Sequence, residues 1–175
     1  MMISKELLLD LVNHMEWADA RVWETALAHE AARVDPALRD NVSHLHTVQR
    51  AFLSAWSSQP FTLPETFDDT TLAGECDSVR AYYEPARAFV SGLDAQRLET
   101  PWGPPWTKWF EQVLGRPPAP TTLGETILQV CMHSAHHRAQ ANARLRAVGA
   151  EPQVIDYIAW LWLGRPVPAW PMTTG

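Results

Sequence analysis

The chain has 175 residues and a mass of 19.7 kDa; 46% of the residues are hydrophobic and 19% are charged. This composition excludes an intrinsically disordered protein, and the length suits a single domain over residues 1–175. The 14 Lys and Arg against 20 Asp and Glu give a net charge of −6, which argues against a nucleic-acid-binding surface because phosphate contacts need clustered basic residues.

Cysteine usage and the N-terminal segment indicate a reducing compartment. The two cysteines, Cys76 and Cys131, are too few for a disulfide framework and lack CxxC spacing, so we expect small core residues rather than nucleophiles. The N-terminal segment has no basic region or cleavage site typical of a secretory signal. No stretch approaches the ~20 apolar residues of a membrane span. We therefore expect a cytoplasmic protein with no membrane association.

The first part of the chain predicts two long helices. Apolar residues recur at steps of three and four from residue 5 to about 29, and Ser4 can cap this helix. A break around Asp35-Pro36 precedes a second helix over about 36–57, since proline suits the first turn of a helix.

A loop and a third helical region follow. The loop is predicted at Gln59, Pro60 and Pro64, where turn-forming residues concentrate. The third helical region covers about 72–93. Pro85 is expected to kink or divide it, because proline has no backbone donor for the helix ladder.

Residues 100–120 are unusual in composition, with six of the 14 prolines and three of the nine tryptophans. We interpret them as an irregular crossover packed down by aromatic side chains, with a short helix over about 106–114. Long connections in compact domains are often functional. The residues concerned are Pro101, Pro104, Pro105, Pro117, Pro118 and Pro120, with Trp102, Trp106 and Trp109.

The fourth helix has the clearest boundaries. Thr122 and Glu125 have the spacing of a capping box, and Gly149 follows the last periodic apolar residue as a stop signal. A short apolar helix over about 154–163 and a proline-containing tail come next. Four helices of bundle length predict an all-α fold: one four-helix-bundle domain with a short extra C-terminal helix.

Five of the seven histidines fall in two groups, one on the second helix and one on the fourth. His133 and His137 are four residues apart, so both imidazoles lie on one helix face and can reach one metal ion. Residue Ser134 replaces the glutamate of the HExxH zincin helix, which argues against a protease of that type. On a helical wheel His133 and His137 lie near the apolar arc, whereas His136 turns toward solvent.

A third ligand is expected on the second helix, because a catalytic zinc-type centre needs three protein ligands and an open position. His44 and His46 are the candidates, and His44 lies slightly nearer the apolar arc of that helix. A buried histidine also needs a partner when no metal is present, since unpaired polar burial costs about 1–3 kcal/mol. The spacing of these histidines is equally consistent with metal binding and with a packing or surface role.

Three segments resemble the DinB/YfiT-like superfamily. They are WADAR from residue 17, HLHTVQRAFL from residue 44 and HSAHHRAQ from residue 133, the last similar to the family form HxxxHRGQ. The resemblance covers nearly the whole chain. It implies an up-down-down-up bundle with a long crossover, and His44, His133 and His137 as ligands of a divalent metal.

Other residues in or near the matching segments have expected roles. Gln140 is a candidate to orient a ligand or a bound water. Arg138 points away from the histidine pair and is expected in a salt bridge that either packs helices or lies at an interface. His14 is expected to pack or to lie at the surface rather than to ligate. Gln49 stands where the family often has Glu, which speaks against an acid–base role there.

The resemblance implies a metal-dependent enzyme with a small-molecule substrate. Three imidazoles suit zinc, nickel, cobalt or ferrous iron, and characterised relatives include S-transferases and isomerases that use a low-molecular-weight thiol. A hydrolase is the variant in which water replaces the thiol. The alternative is a non-catalytic metal-binding or stress-response protein that acts by association. An open coordination position that faces a lined cavity favours the enzyme.

Three further expectations follow from the residues and the resemblance. Relatives are commonly homodimers, and nine tryptophans exceed what one small core readily buries, so we expect a homodimer. Trp102, Trp106 and Trp109 are expected to wall an apolar substrate pocket beside the metal. Free imidazole binds a proton near pH ~6.5, so metal occupancy and activity are expected to fall as the pH drops through that region.

Overall fold

A computed structural model describes residues 3–61 and 72–172 of the chain. Within these residues the regular secondary structure is helical, and the single β-type contact is an isolated antiparallel bridge between Pro101 and Thr122. The predicted all-α fold is confirmed. The up-down-down-up order of a four-helix bundle stays a prediction, and Pro64 of the predicted loop lies outside the described residues.

The described part of the chain contains nine helices, and none of them is long and apolar enough to cross a membrane. Three are long and contain most of the residues discussed below. The helices are α1 (Lys5–Ala28), α2 (Glu30–Arg33), α3 (Pro36–Trp56), α4 (Leu72–Arg80), α5 (Tyr83–Ser91), α6 (Ala95–Leu98), α7 (Thr107–Leu114), α8 (Leu123–Ala147) and α9 (Tyr157–Trp162).

The long helices begin at the predicted positions, two of them at predicted caps and α3 at the predicted break, where Asp35 acts as the cap. Ser4 accepts a hydrogen bond from a backbone N–H in the first turn of α1. Asp35 Oδ1 accepts one from Leu38 N at 2.7 Å at the start of α3. Thr122 and Glu125 form the predicted capping box of α8. Each cap satisfies backbone donors that have no partner inside the helix.

Other boundaries differ in part from the sequence-based expectation. The third helical region is divided into α4 and α5, with Pro85 in the first turn of α5, where its missing donor costs little. Short helices α2 and α6 were not predicted. The last helix begins at Tyr157 rather than near 154. The preceding chain is held extended in part because the Ile155 carbonyl accepts a hydrogen bond from His14 Nε2 at 2.9 Å.

The core forms where α8 packs against α1 and α3, and α5 also packs against α1. Burial of each large apolar side chain contributes about 1.5–3 kcal/mol. This packing brings the middle of α3 beside the middle of α8, which positions the two histidine groups. Among the most completely buried side chains are Leu8, Met15, Trp23, Leu38, Leu45, Leu123, Ile127 and Leu145.

Candidate metal centre

His44 of α3 and His133 and His137 of α8 converge where these helices pack together. Each offers one ring nitrogen, and the three nitrogens lie within 4.8 Å of one another. The ring centroids are 4.4 Å apart for His133 and His137, and 4.8 Å apart for His44 and His137. Metal–imidazole bonds are about 2.0–2.2 Å long, so ligation would draw the nitrogens closer together. The structure thus brings together the three residues that the sequence singled out.

Asn41 orients one of these rings. It lies three residues before His44 on α3, and its Oδ1 accepts a hydrogen bond from His137 Nδ1 at 2.8 Å. Its Nδ2 also donates to the His137 carbonyl at 3.0 Å. With Nδ1 as the donor, the Nε2 lone pair of His137 is available to a cation. Sequence reasoning missed Asn41, although a polar residue one helical turn from His44 was a usable signal.

Burial and mutual repulsion favour the uncharged form of two of the imidazoles. The pKa of His133 is lowered to about 4, first by partial burial and then by the neighbouring imidazoles of His137, His44 and His136. Burial, His44 and His136 also lower the pKa of His137, while hydrogen bonding with Gln140 raises it. Both rings therefore stay neutral, and able to ligate, at a lower pH than the value near 6.5 expected from free imidazole.

The donor set fits a divalent cation. Three imidazoles are the ligands that zinc, nickel, cobalt and ferrous iron accept. Among the described residues, none forms a hydrogen bond with the buried Nδ1 of His133. A buried polar ring nitrogen without a partner is costly, and a cation that binds at Nδ1 would offset that cost.

His46 is excluded as a ligand because its ring is engaged elsewhere. Its Nε2 accepts a hydrogen bond from Trp23 Nε1 at 3.1 Å, and its Nδ1 donates to Gln49 Oε1 at 2.8 Å. Only 2% of His46 is exposed, whereas His44 is exposed. The choice of His44 agrees with the cluster, but a position nearer the apolar arc did not predict which of the two imidazoles is buried. The more buried histidine belongs to the core instead.

A buried polar network lies beneath the three histidines. Arg138 and Asp19 form a salt bridge with a 2.9 Å contact, and both side chains are almost fully buried. The predicted helix-packing salt bridge of Arg138 is therefore confirmed. Gln49 Nε2 donates to Asp19 at 3.2 Å and to Ser134 Oγ at 3.1 Å, while the Tyr83 hydroxyl also donates to Asp19. These bonds tie α1, α3, α5 and α8 together next to His133.

The remaining histidines of the two groups and of α1 do not join the cluster. His14 is buried and donates to the Ile155 carbonyl, which confirms its predicted packing role. His136 is exposed, as the helical wheel predicted. Gln140 Nε2 lies 2.9 Å from His136 Nε2 on the exposed surface of α8. A role for Gln140 in orienting a ligand stays a prediction.

A cavity of about 1340 Å³ opens beside the cluster, and His44 and His133 form part of its wall. Trp102, Trp106 and Trp109 of the crossover line it as predicted. Trp106 meets Phe52 of α3 edge to face, with ring centroids 5.1 Å apart. The crossover thus covers the α3–α8 junction with aromatic side chains.

Neither cysteine lines this cavity. Cys76 and Cys131 are buried and unpaired, and burial raises the pKa of both thiols to about 12. A thiol in such surroundings is a poor nucleophile. The prediction that both are small core residues is confirmed.

A family model with the description DinB family matches residues 2–166. The match includes every described helix from α1 to α9 and all three clustered histidines. No match was found among curated proteins or among solved structures.

Proposed function

The chain belongs to the DinB family, and from this premise we propose that it binds one divalent metal ion through His44, His133 and His137. Zinc, nickel, cobalt and ferrous iron are the candidate ions. The observation that supports the proposal is the convergence of three imidazoles from two packed helices beside a large cavity. We further propose that residues 1–175 form one domain with the up-down-down-up bundle order.

We propose that the protein is an enzyme of the thiol-dependent S-transferase or isomerase type. A divalent ion held by imidazoles supplies Lewis-acid chemistry, since it lowers the pKa of a thiol or a water molecule. Asn41 keeps the His137 ring in the orientation that leaves Nε2 free. The aromatic crossover walls an apolar space in which a small electrophile is held away from bulk water.

The alternative is a non-catalytic metal-binding or stress-response protein. A centre closed on all sides, or one open only to bulk solvent, would favour that alternative. In the structure His44 and His133 form part of the wall of a cavity. This observation favours the enzyme, because a catalytic centre needs space for a reactant next to the ion.

The test combines metal analysis with matched histidine variants. We expect about one divalent ion per chain in the native protein, loss of that ion in His133→Ala, and its retention in His136→Ala. His136 is the control because it is exposed on the same helix. Full metal retention by the His133 variant would refute the assignment.

Activity is then tested with a panel of small thiols and electrophiles. We expect turnover by the metal-loaded protein and by His136→Ala, and its loss after chelation or in His133→Ala. Equal turnover by the native protein and His133→Ala would contradict metal catalysis. Stoichiometric metal without turnover by any of them would favour the non-catalytic alternative.

A further inference from the structure

The cavity beside the metal centre has an acidic rather than a basic wall. Apart from its histidines, Glu111 and Glu125 are the charged residues among the described lining residues, and none is Lys or Arg. The two basic residues of the crossover, Lys108 and Arg116, line a separate and smaller groove that Glu111 also borders. A negatively charged ligand would therefore find no Lys or Arg among the described residues of the wall.

The first turn of α8 borders the cavity, but it has few unpaired backbone N–H groups with which to bind an anion. Helix N-termini bind anions through backbone N–H groups that lack partners. Here Thr122 N donates to Glu125 Oε2 at 2.7 Å, and Glu125 N donates to Thr122 Oγ1 at 3.2 Å. Leu123 N donates to the Thr100 carbonyl at 3.0 Å. The Glu125 carboxylate also offsets the positive end of the helix dipole.

The crossover adds few backbone donors to the wall. Proline has no N–H, and five lining residues are prolines: Pro101, Pro104, Pro117, Pro118 and Pro120. Two of the lining hydroxyls are already used, since Thr121 donates to the Trp102 carbonyl at 2.7 Å and Thr126 to the Leu123 carbonyl at 2.8 Å. These prolines and hydroxyls therefore replace little of the hydration that an anion would lose on entry, and the remaining side-chain donors of the described wall, such as Gln129, carry no positive charge.

The aromatic rings of the same wall favour flat uncharged molecules and cations. Phe52 packs against Trp102 and Trp106, with ring centroids 6.1 Å and 5.1 Å away. Flat apolar molecules stack on such faces, and cations are attracted to them by the ring quadrupole. Two carboxylates beside aromatic rings add attraction for a cation.

We propose that the cavity selects flat aromatic molecules that are uncharged or cationic and rejects anionic ones. This inference deepens the proposed function, because it names the substrate class of the same site. The volume of the cavity, about 1340 Å³, exceeds the roughly 300–1,000 Å³ of most small-molecule sites. The cavity is therefore large enough for an aromatic electrophile and a second reactant together.

The test uses three naphthalene probes of one shape and different charge. They are 2-naphthylmethanol (neutral), 2-naphthylmethylammonium (cationic) and 2-naphthoate (anionic), each titrated into the full-length protein by calorimetry at neutral pH. The measurement is made with a chelator present, so that it does not depend on a bound ion. We expect the cation within about threefold of the neutral probe and the anion at least about tenfold weaker.

Paired variants locate the binding to this cavity. Trp106→Ala should weaken the neutral probe at least about fivefold, whereas Trp162→Ala, which removes a tryptophan that is 81% exposed and outside the cavity, should not. Trp109→Ala, at a 59% exposed position on the wall, serves if the Trp106 variant does not fold. Glu111→Lys should improve binding of 2-naphthoate, and Glu151→Lys, an equal charge change outside the cavity, should not.

The outcomes separate this inference from the metal proposal. Binding of 2-naphthoate within threefold of the neutral probe overturns the charge selection, and so does the absence of neutral-probe binding up to about 1 mM. Equal effects of the Trp106 and Trp162 variants overturn the location. Each of these results is obtained on chelated protein, so loss of metal binding in His133→Ala bears on the proposed function alone. An anion that binds only after metal loading supports the metal proposal and overturns the charge selection, because the ion then supplies the positive charge that the wall lacks.

Discussion

Removal of the Asn41 side chain should weaken metal binding without removing a ligand. In Asn41→Ala the His137 ring loses the acceptor that holds Nδ1, a contact of 2.8 Å. It also loses the side chain that donates to the His137 carbonyl at 3.0 Å. The ring is then free to rotate and to carry its proton on Nε2, the nitrogen expected to face the ion.

The size of the effect can be obtained in two ways. Loss of a hydrogen-bonded residue that orients a metal-binding histidine typically reduces metal affinity by about 10–100-fold, which corresponds to about 1.4–2.8 kcal/mol. The two part-buried hydrogen bonds contribute about 0.5–1.5 kcal/mol each, so about 1–3 kcal/mol is the upper limit of what their loss can remove. The first value lies within this limit, and we expect a loss of 10–100-fold in affinity with a stoichiometry of one ion.

The assay is competition with a chromogenic chelator at neutral pH for the native protein and three variants. Asn41→Asp keeps an acceptor for His137 Nδ1 and should bind metal more tightly than Asn41→Ala. Asn13→Ala, at an exposed position on α1, should match the native protein. An affinity of Asn41→Ala within twofold of the native value would refute the orienting role, and loss of stoichiometric binding would show that the effect exceeds orientation.

Three other predictions concern stability, pH and assembly. Arg138→Met should lower the free energy of unfolding in urea by about 3–5 kcal/mol, because Asp19 stays buried without its cation; a change below 1 kcal/mol would contradict this. Because burial lowers the pKa of His133 to about 4 and also lowers that of His137, protons compete with the metal only at more acidic pH. Metal release followed by absorbance of a cobalt-loaded sample should therefore have its midpoint below pH ~6.5, and a midpoint at or above that value would show that these shifts do not govern binding. Light scattering should give about twice the chain mass of 19.7 kDa; a monomer mass at micromolar concentration would overturn the homodimer.

The helices and the pairing of His133 with His137 could be predicted from local sequence. Capping residues such as Ser4 and Thr122 act on backbone groups within one turn, so their effect can be predicted from the neighbouring residues. The spacing of His133 and His137 likewise depends only on helix geometry. Amphipathic periodicity was enough to predict an all-α chain, because each apolar stripe must be buried against another helix.

The tertiary structure decided which residues surround that pair. Only the packing of α3 on α8 shows that Asn41 holds His137. Only the contact of Trp23 on α1 with His46 on α3 shows that the second ring nitrogen of His46 is engaged, the first being bonded to Gln49 on the same helix. A helical wheel ranks residues by one apolar direction, whereas α3 contacts more than one neighbour and buries more than one face. The cavity wall depends on how a proline-rich crossover folds back over the helices, and irregular backbone has no period from which such contacts could be predicted.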